Sequence, residues 1–200
     1  MENSPVPLLG VLISGRGSNL RALIGAVREG RLRARIRVVI SNRTDAAGLA
    51  FAREAGIETL VMSHRDSPTL EAYDDVLAAA LTDRGVTLVC LAGFMRVLGP
   101  GFCGAFPDAI LNIHPSLLPA FPGLHPQRQA LEAGAKVSGA TVHLVTAAVD
   151  AGPIVLQESV PIHEGDTEAS LAARILEVEH RIYSEAVQRV LDRGRRAVLR

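Results

Sequence analysis

Short runs of aliphatic and β-branched residues recur at 8–14, 36–41, 59–62, 87–91 and 110–113. Several are continuously apolar instead of alternating, the pattern of strands buried on both faces of a parallel sheet. Between them, 19–28, 46–55 and 70–82 carry helical spacing. Strand followed by helix, repeated, predicts an α/β fold: a doubly wound, mostly parallel sheet with helices on both faces. Ligands in such sheets bind outside the carboxyl ends of the strands. That directs attention to 14–19, 92–98 and 112–123.

The second half reads differently. Segments 138–145 and 153–161 predict two strands around a turn at 147–152, joined to the sheet as a hairpin-like addition. Asp166, a good N-cap, opens a long carboxy-terminal helix over 167–193. On it Leu171, Ile175, Val178, Ile182, Ala186 and Val190 share one face, at about 100° per residue. Glu179 projects onto that same apolar face, while Glu177, Arg181 and Gln188 lie opposite. Residues 194–200 read as a frayed basic tail. No repeat or linker divides the chain, which predicts one domain over 1–200 with its core at 8–193.

Composition narrows the function. Of 200 residues, 48% are hydrophobic and 21% charged, which excludes a disordered, collagen-like or coiled-coil chain. Twenty-one basic and 21 acidic residues cancel, so a broad nucleic-acid surface is not expected. Aromatics are 4% and tryptophan is absent, which removes base-stacking platforms. No apolar run reaches the roughly 18–20 residues of a membrane span, and the first residues lack a basic secretory n-region. Cys90 and Cys103 lack CxxC spacing, and the histidines form no HxH or HExxH ligand pattern, so no metal is expected. No GxSxG elbow supports a hydrolase triad. The expected compartment is the cytoplasm.

Three segments carry candidate chemistry. Ser14-Gly15-Arg16-Gly17-Ser18-Asn19 joins the first strand to the first helix. Glycine lets backbone approach a ligand closely, and the unpaired N–H groups of a helix start favour an anion. A dinucleotide fingerprint would need a third glycine where Leu20 stands, and a P-loop would need Gly-Lys-Ser/Thr. The loop therefore suits a small phosphate, or is a plain turn with a Ser or Asn cap. Asn112 and His114 end the fifth strand two residues apart, and so face one side. An amide donor beside an imidazole can hold a carbonyl that becomes an oxyanion. Pro115, Pro119 and Pro122 stiffen the loop that follows. Asp150 sits in the turn 149–153, where aspartate is usually structural. Within about 4–6 Å of His114 it would instead favour the charged imidazolium. Glu179 needs a partner inside its apolar face, either an internal cation or a ligand hydroxyl or amine.

The segments ISGRGSNL (13–20), SNRTDAAGL (41–49), LAGFMRVL (91–98), LNIHPSLLPAFPGLH (111–125) and GATVHLVTAAVDAGPIVLQ (139–157), with the pair Glu179-His180, resemble in this order the folate-dependent formyltransferase family, and within it the members acting on phosphoribosylglycinamide. The resemblance covers about 8–193. It implies a Rossmann-like formyltransferase fold, 10-formyltetrahydrofolate as co-substrate, and formyl transfer to the amine of phosphoribosylglycinamide in purine synthesis. It implies catalysis by Asn112, His114 and Asp150, phosphate binding by Gly17, Ser18 and Asn19, and ribose contact by Glu179. Met95, Arg96, Val97 and Leu98, with Thr146, Ala147, Ala148 and Val149, would line the folate site. One departure stands at Leu70, where many relatives place an arginine on the folate's glutamate tail; Arg65 lies just upstream. The alternatives are a formyl-folate hydrolase, a methionyl-tRNA formyltransferase and a non-catalytic phosphometabolite-binding module. The tRNA enzymes carry an extra carboxy-terminal domain and the hydrolases an amino-terminal one, and this chain is expected to have neither. The expected partners are small molecules, with no nucleic acid or membrane, and a homodimer is left open.

Overall fold

The computed structural model describes residues 5–198, with the side chains of the last helix described through residue 194. Seven strands hydrogen-bond in the order β3-β2-β1-β4-β5-β6-β7. The chain forms two compact units, Met1–Leu111 and Asn112–Arg200.

The first unit is the parallel part. β1 (Leu8–Ile13) pairs in parallel with both β2 (Arg35–Ser41) and β4 (Leu88–Leu91), and β2 pairs in parallel with β3 (Glu58–Val61). Leu9, Val11, Leu12 and Ile13 are all fully buried, although successive side chains of a strand point to opposite faces. Both faces of β1 are therefore covered, as the unbroken apolar run requires. Each such side chain contributes roughly 1.5–3 kcal/mol by leaving water. α1 (Ser18–Arg28), α2 (Gly48–Glu54) and α3 (Leu70–Thr82) follow the first three strands. Thr69 caps α3 by accepting the Ala72 N–H at 3.1 Å.

Two short helices escape the sequence pattern. α4 (Pro100–Ala105) contains Gly101 and Gly104 and spans six residues, too few to show a period. Its start is held from outside: the Asp74 carboxylate, on α3, accepts the Gly99 N–H at 2.6 Å. α5 (Pro126–Glu132) belongs to the second unit and opens on a proline after His125, whose φ is +55°.

The second unit holds the antiparallel addition. β6 (Val137–Leu144) pairs with β7 (Ile154–Pro161), as the two-strand reading expects. The register slips between Val142 and His143, so Val142 faces Leu156 whereas His143 faces Ile154. The extra residue, Val155, lies on β7, and it is the bulged strand that bends. The proline-bearing loop after β5 (Ile110–His114) is fastened to this hairpin. Thr141 Oγ1 donates to the Ser116 carbonyl at 2.7 Å and accepts the Leu118 N–H at 3.1 Å, and Gln157 Nε2 donates to the Leu118 carbonyl at 2.8 Å.

α6 (Glu168–Val198) departs from expectation at both ends. The cap is Thr167, not Asp166. Thr167 Oγ1 accepts the Ser170 N–H at 3.1 Å, and the Thr167 N–H donates back to Ser170 Oγ at 2.9 Å. Asp166 braces the entry, accepting from the His163 N–H and from both terminal nitrogens of Arg174. Arg174 first, then the His163 N–H, holds that carboxyl far below the usual carboxylate range. At the other end the helix continues through Val198, so no frayed tail begins at residue 194. Leu199 and Arg200 lie outside the described residues. Alanine, arginine and leucine are strong helix formers, and Gly194 alone does not break the run.

Candidate active site

The glycine loop follows β1. Gly17 has φ +73° and starts α1 with no side-chain cap, so neither Ser18 nor Asn19 acts as one. The first-turn N–H groups of α1 are therefore not spent on a capping side chain. Asn19 is buried. Gly17 and Gly48 also meet back to back: a Cβ on Gly17 would stand 2.4 Å from the Gly48 Cα. The Gly48 N–H donates to the Gly15 carbonyl at 3.0 Å. The loop is thus shaped by α2 as well as by whatever it binds.

Residues 95–98 follow β4. The Ser14 N–H donates to the Gly93 carbonyl, and Ser14 Oγ accepts the Met95 N–H at 2.8 Å, tying this segment to the end of β1. Met95 and Val97 are 67% and 57% exposed, a large apolar surface for side chains that could have been buried. Arg96 lies over the Tyr73 ring at 5.3 Å. Leu98 is buried in the core and offers a ligand backbone only.

In the second unit the structure brings Asn112, His114 and Asp150 together, and adds a residue that sequence reasoning missed. Asp150 Oδ2 lies 3.4 Å from His114 Nδ1, and its Oδ1 lies 3.5 Å from His143 Nε2. One carboxylate therefore spans two imidazoles, both buried. His143 Nε2 is also 3.2 Å from Asn112 Nδ2, and its Nδ1 donates to the Leu144 carbonyl at 3.0 Å. Nε2 accordingly accepts from Asn112 when the ring is neutral and donates to Asp150 when it is protonated. The one available clue to His143 was alternation: on a β6 strand that pairs with β7, it shares a face with Thr141.

Acceptors face both nitrogens of His114. Nε2–H donates to the Phe121 carbonyl at 3.0 Å, and Nδ1 faces Asp150. Only an imidazolium supplies a proton to each. Asp150 has φ +51° and further accepts the Gly123 N–H at 2.9 Å, so it holds the proline-bearing loop and the histidines at once. Burial pushes its carboxyl up. The bond from His143, the Gly123 N–H and the charges of His114 and His143 outweigh that and leave it below the ordinary range.

A carboxyl lowered by folding stabilises the fold above its unfolded pKa of about 3.9, and that contribution fades as pH falls through the lower folded value. Urea unfolding of Asp150→Asn beside the parent chain is therefore expected to show a stability gap at about pH 5 that narrows as pH falls toward 3. A gap independent of pH would break the assignment.

Glu179 is 7% exposed on the inner face of α6, as its position in the apolar stripe predicts. Thr146, Ala147, Ala148 and Val149 form an exposed turn in which Thr146 Oγ1 donates to the Ala148 carbonyl. Among the described residues no cluster of metal-ligating side chains is present, and no helix is long and apolar enough to cross a membrane.

The chain is similar to known proteins along most of its length. Residues 9–187 match the sequence family described as formyl transferase. Phosphoribosylglycinamide formyltransferase of Escherichia coli (strain K12) is 49% identical over 175 residues, 86% of this chain and 82% of that protein. The Homo sapiens trifunctional purine biosynthetic protein adenosine-3 is 48% identical over 90% of this chain, which spans 18% of that protein's length. The solved structure of glycinamide ribonucleotide transformylase 1 from Symbiobacterium toebii superposes with a TM-score of 0.90 at 57% identity, covering 92% of this chain and 86% of that one. The mostly parallel sheet and the long last helix agree with the fold expected from the sequence, and the chain belongs to the formyl transferase family.

Proposed function

We propose that this chain transfers the formyl group of 10-formyltetrahydrofolate to the amine of phosphoribosylglycinamide, in purine biosynthesis. The observation that carries the reading is the carboxylate of Asp150 spanning the buried His114 and His143, with Asn112 against the latter. Its setting is a chain similar along most of its length to phosphoribosylglycinamide formyltransferases.

Formyl-folate supplies an electrophilic carbonyl carbon whose oxygen gains negative charge when an amine adds. The chain's residues answer that charge. His114 offers an N–H held in place by Asp150. Asn112 Nδ2 carries two hydrogens; when His143 is neutral one goes to its Nε2, leaving the other for the oxyanion. The attacking amine must lose a proton, the nitrogen leaving the formyl carbon must gain one, and the carboxylate of Asp150 is the acceptor nearest both imidazoles. To serve the oxyanion, His114 Nε2–H must turn from the Phe121 carbonyl.

Binding follows the same residues. Gly17, Ser18 and Asn19 would take the substrate phosphate at the start of α1, and Glu179 the ribose. Met95 and Val97, with Thr146, Ala147, Ala148 and Val149, present apolar side chains and backbone suited to a flat heterocycle; Arg96 and Leu98 contribute backbone. Small molecules are the partners, and the reading needs no metal, nucleic acid or membrane.

His143 acts here as a positioning residue. His143→Ala is expected to lower kcat by about 10–100-fold, because a small misplacement of reacting groups has that effect. Its KM values should stay within a few-fold. A KM change with unaltered kcat would move His143 into substrate binding.

Absorbance of the folate product tests the whole reading. Release that requires phosphoribosylglycinamide establishes transfer to that amine. Release without it would make the chain a hydrolase, and no release in either mixture would leave a binding module.

A further inference from the structure

We propose that Asp74 is a positioning residue for the formyl donor: reaching from α3, it fixes the far end of the exposed segment 95–98 and so sets how tightly the chain takes the folate. This role rests on the formyl-transfer reading, which assigns 95–98 to that ligand. The segment runs between β4 and α4 and belongs to neither. Met95 and Val97 stand out of it with their apolar side chains exposed. Such a segment presents a defined surface only if the fold holds its ends. Ser14 Oγ holds the near end at the Met95 N–H. The Asp74 carboxylate holds the far end at the Gly99 N–H. Between them the Arg96 guanidinium lies over the Tyr73 ring, whose O–H donates to the Met62 carbonyl at 3.1 Å. Consecutive residues of α3 thus hold positions 96 and 99, on either side of Val97 and Leu98.

The bond from Gly99 is not an ordinary helix cap. A capping carboxylate accepts from the second or third amide of the helix, here Gly101 or Phe102. Asp74 Oδ2 accepts instead from the residue before the helix, and Oδ1 has no hydrogen-bond partner. Asp74 is 2% exposed, so the free oxygen is withheld from water as well. Arg96 offers no relief: its Nε is also buried without a partner, and among the described residues no ion pair joins the two. An unpaired carboxylate oxygen in the interior costs stability, and an apolar side chain of similar size would avoid it. What the acid adds is a fixed position for residue 99. Gly99 is fitted to it, since a Cβ there would stand 2.8 Å from Oδ2 and push the carboxylate off the amide. That clash is with the tip of a side chain, which can swing away, so Gly99→Ala should fold.

The test alters each end of this bond in the full chain. It measures KM for donor and acceptor separately, with calorimetric binding of 10-formylfolate beside them. Gly99→Ala and Asp74→Ala are each expected to raise the donor KM and the 10-formylfolate Kd about tenfold, the effect of one lost charge-assisted hydrogen bond. The kcat and the KM for phosphoribosylglycinamide should stay within about twofold. Asp74→Asn keeps an oxygen for the Gly99 N–H and should recover most of the affinity. A role confined to folding would lower Tm and leave the donor KM where it is. That result, equal losses at both substrates, or an Asp74→Asn chain no better than Asp74→Ala, overturns the proposal. If Asp74→Ala does not fold by circular dichroism, Gly99→Ala decides on the same readouts. A parent chain that releases no folate product fails differently: it removes the formyl-transfer reading itself, and this role with it.

Discussion

Replacing His114 by alanine is expected to lower kcat by about 10²–10³-fold, the usual loss when one oxyanion donor is removed. That corresponds to roughly 2.7–4 kcal/mol of transition-state stabilisation. KM for both substrates should stay within a few-fold, because a donor that matters only once charge develops contributes little to ground-state binding. The fold should survive. Asp150 would still hold the Gly123 N–H, and Thr141 and Gln157 would still fasten the loop at Leu118. Steady-state kinetics against each substrate separates the cases. Turnover within a few-fold of the parent chain would remove His114 from the reaction, and a large KM change alone would make it a binding residue.

Gly17→Ala is expected to destabilise the chain by about 2–5 kcal/mol, from overpacking of about 1–3 kcal/mol and left-handed strain of about 1–2 kcal/mol. The new methyl would meet the Gly48 Cα at 2.4 Å, and backbone cannot swing aside as a side-chain tip can. In a chain of this length that lowers Tm by roughly 4–20 °C, at about 2–4 °C per kcal/mol. Gly48→Ala is the informative companion. Its methyl would meet the Gly17 Cα at 2.9 Å from the other side, in a residue with no place in the loop. If Gly48→Ala also raises KM for the phosphoribosyl substrate, packing sets the loop's shape. If Gly17→Ala melts with the parent chain, the contact between the two glycines is looser than described.

Those two glycines show where sequence reading stops. The spacing Gly15-x-Gly17 was legible as a loop, but one stretch of chain offers a single reason for a glycine, approach to a ligand. The contact with Gly48 lies 31 positions away and has no local signature. The strands were legible because burial on both faces writes itself as an unbroken apolar run. α4 was not, since six residues with two glycines carry no period and the group holding its start is Asp74 on another helix. At the site, Asn112 and His114 were legible together because two residues on one strand share a face. Asp150 was legible only as a turn residue, and its meeting with His114 is a tertiary fact. His143 was hidden because it lies in an ordinary β-strand stretch, and its meeting with Asn112 and Asp150 is a tertiary fact.

The left-handed backbone at Asp150 bears on how any exhaustive substitution scan at this position should be read. Asparagine and glycine share aspartate's tolerance of positive φ, and other side chains pay for it with strain. Glycine accepts the angle but removes the side chain. Glutamate keeps the charge but fights the angle and carries its carboxyl one bond too far. A scan would therefore show a uniformly intolerant position for two unrelated reasons, and its depth would overstate the chemical role. Asparagine alone keeps both shape and backbone while deleting the charge, so the step from aspartate to asparagine is the one substitution at 150 whose effect can be assigned to chemistry.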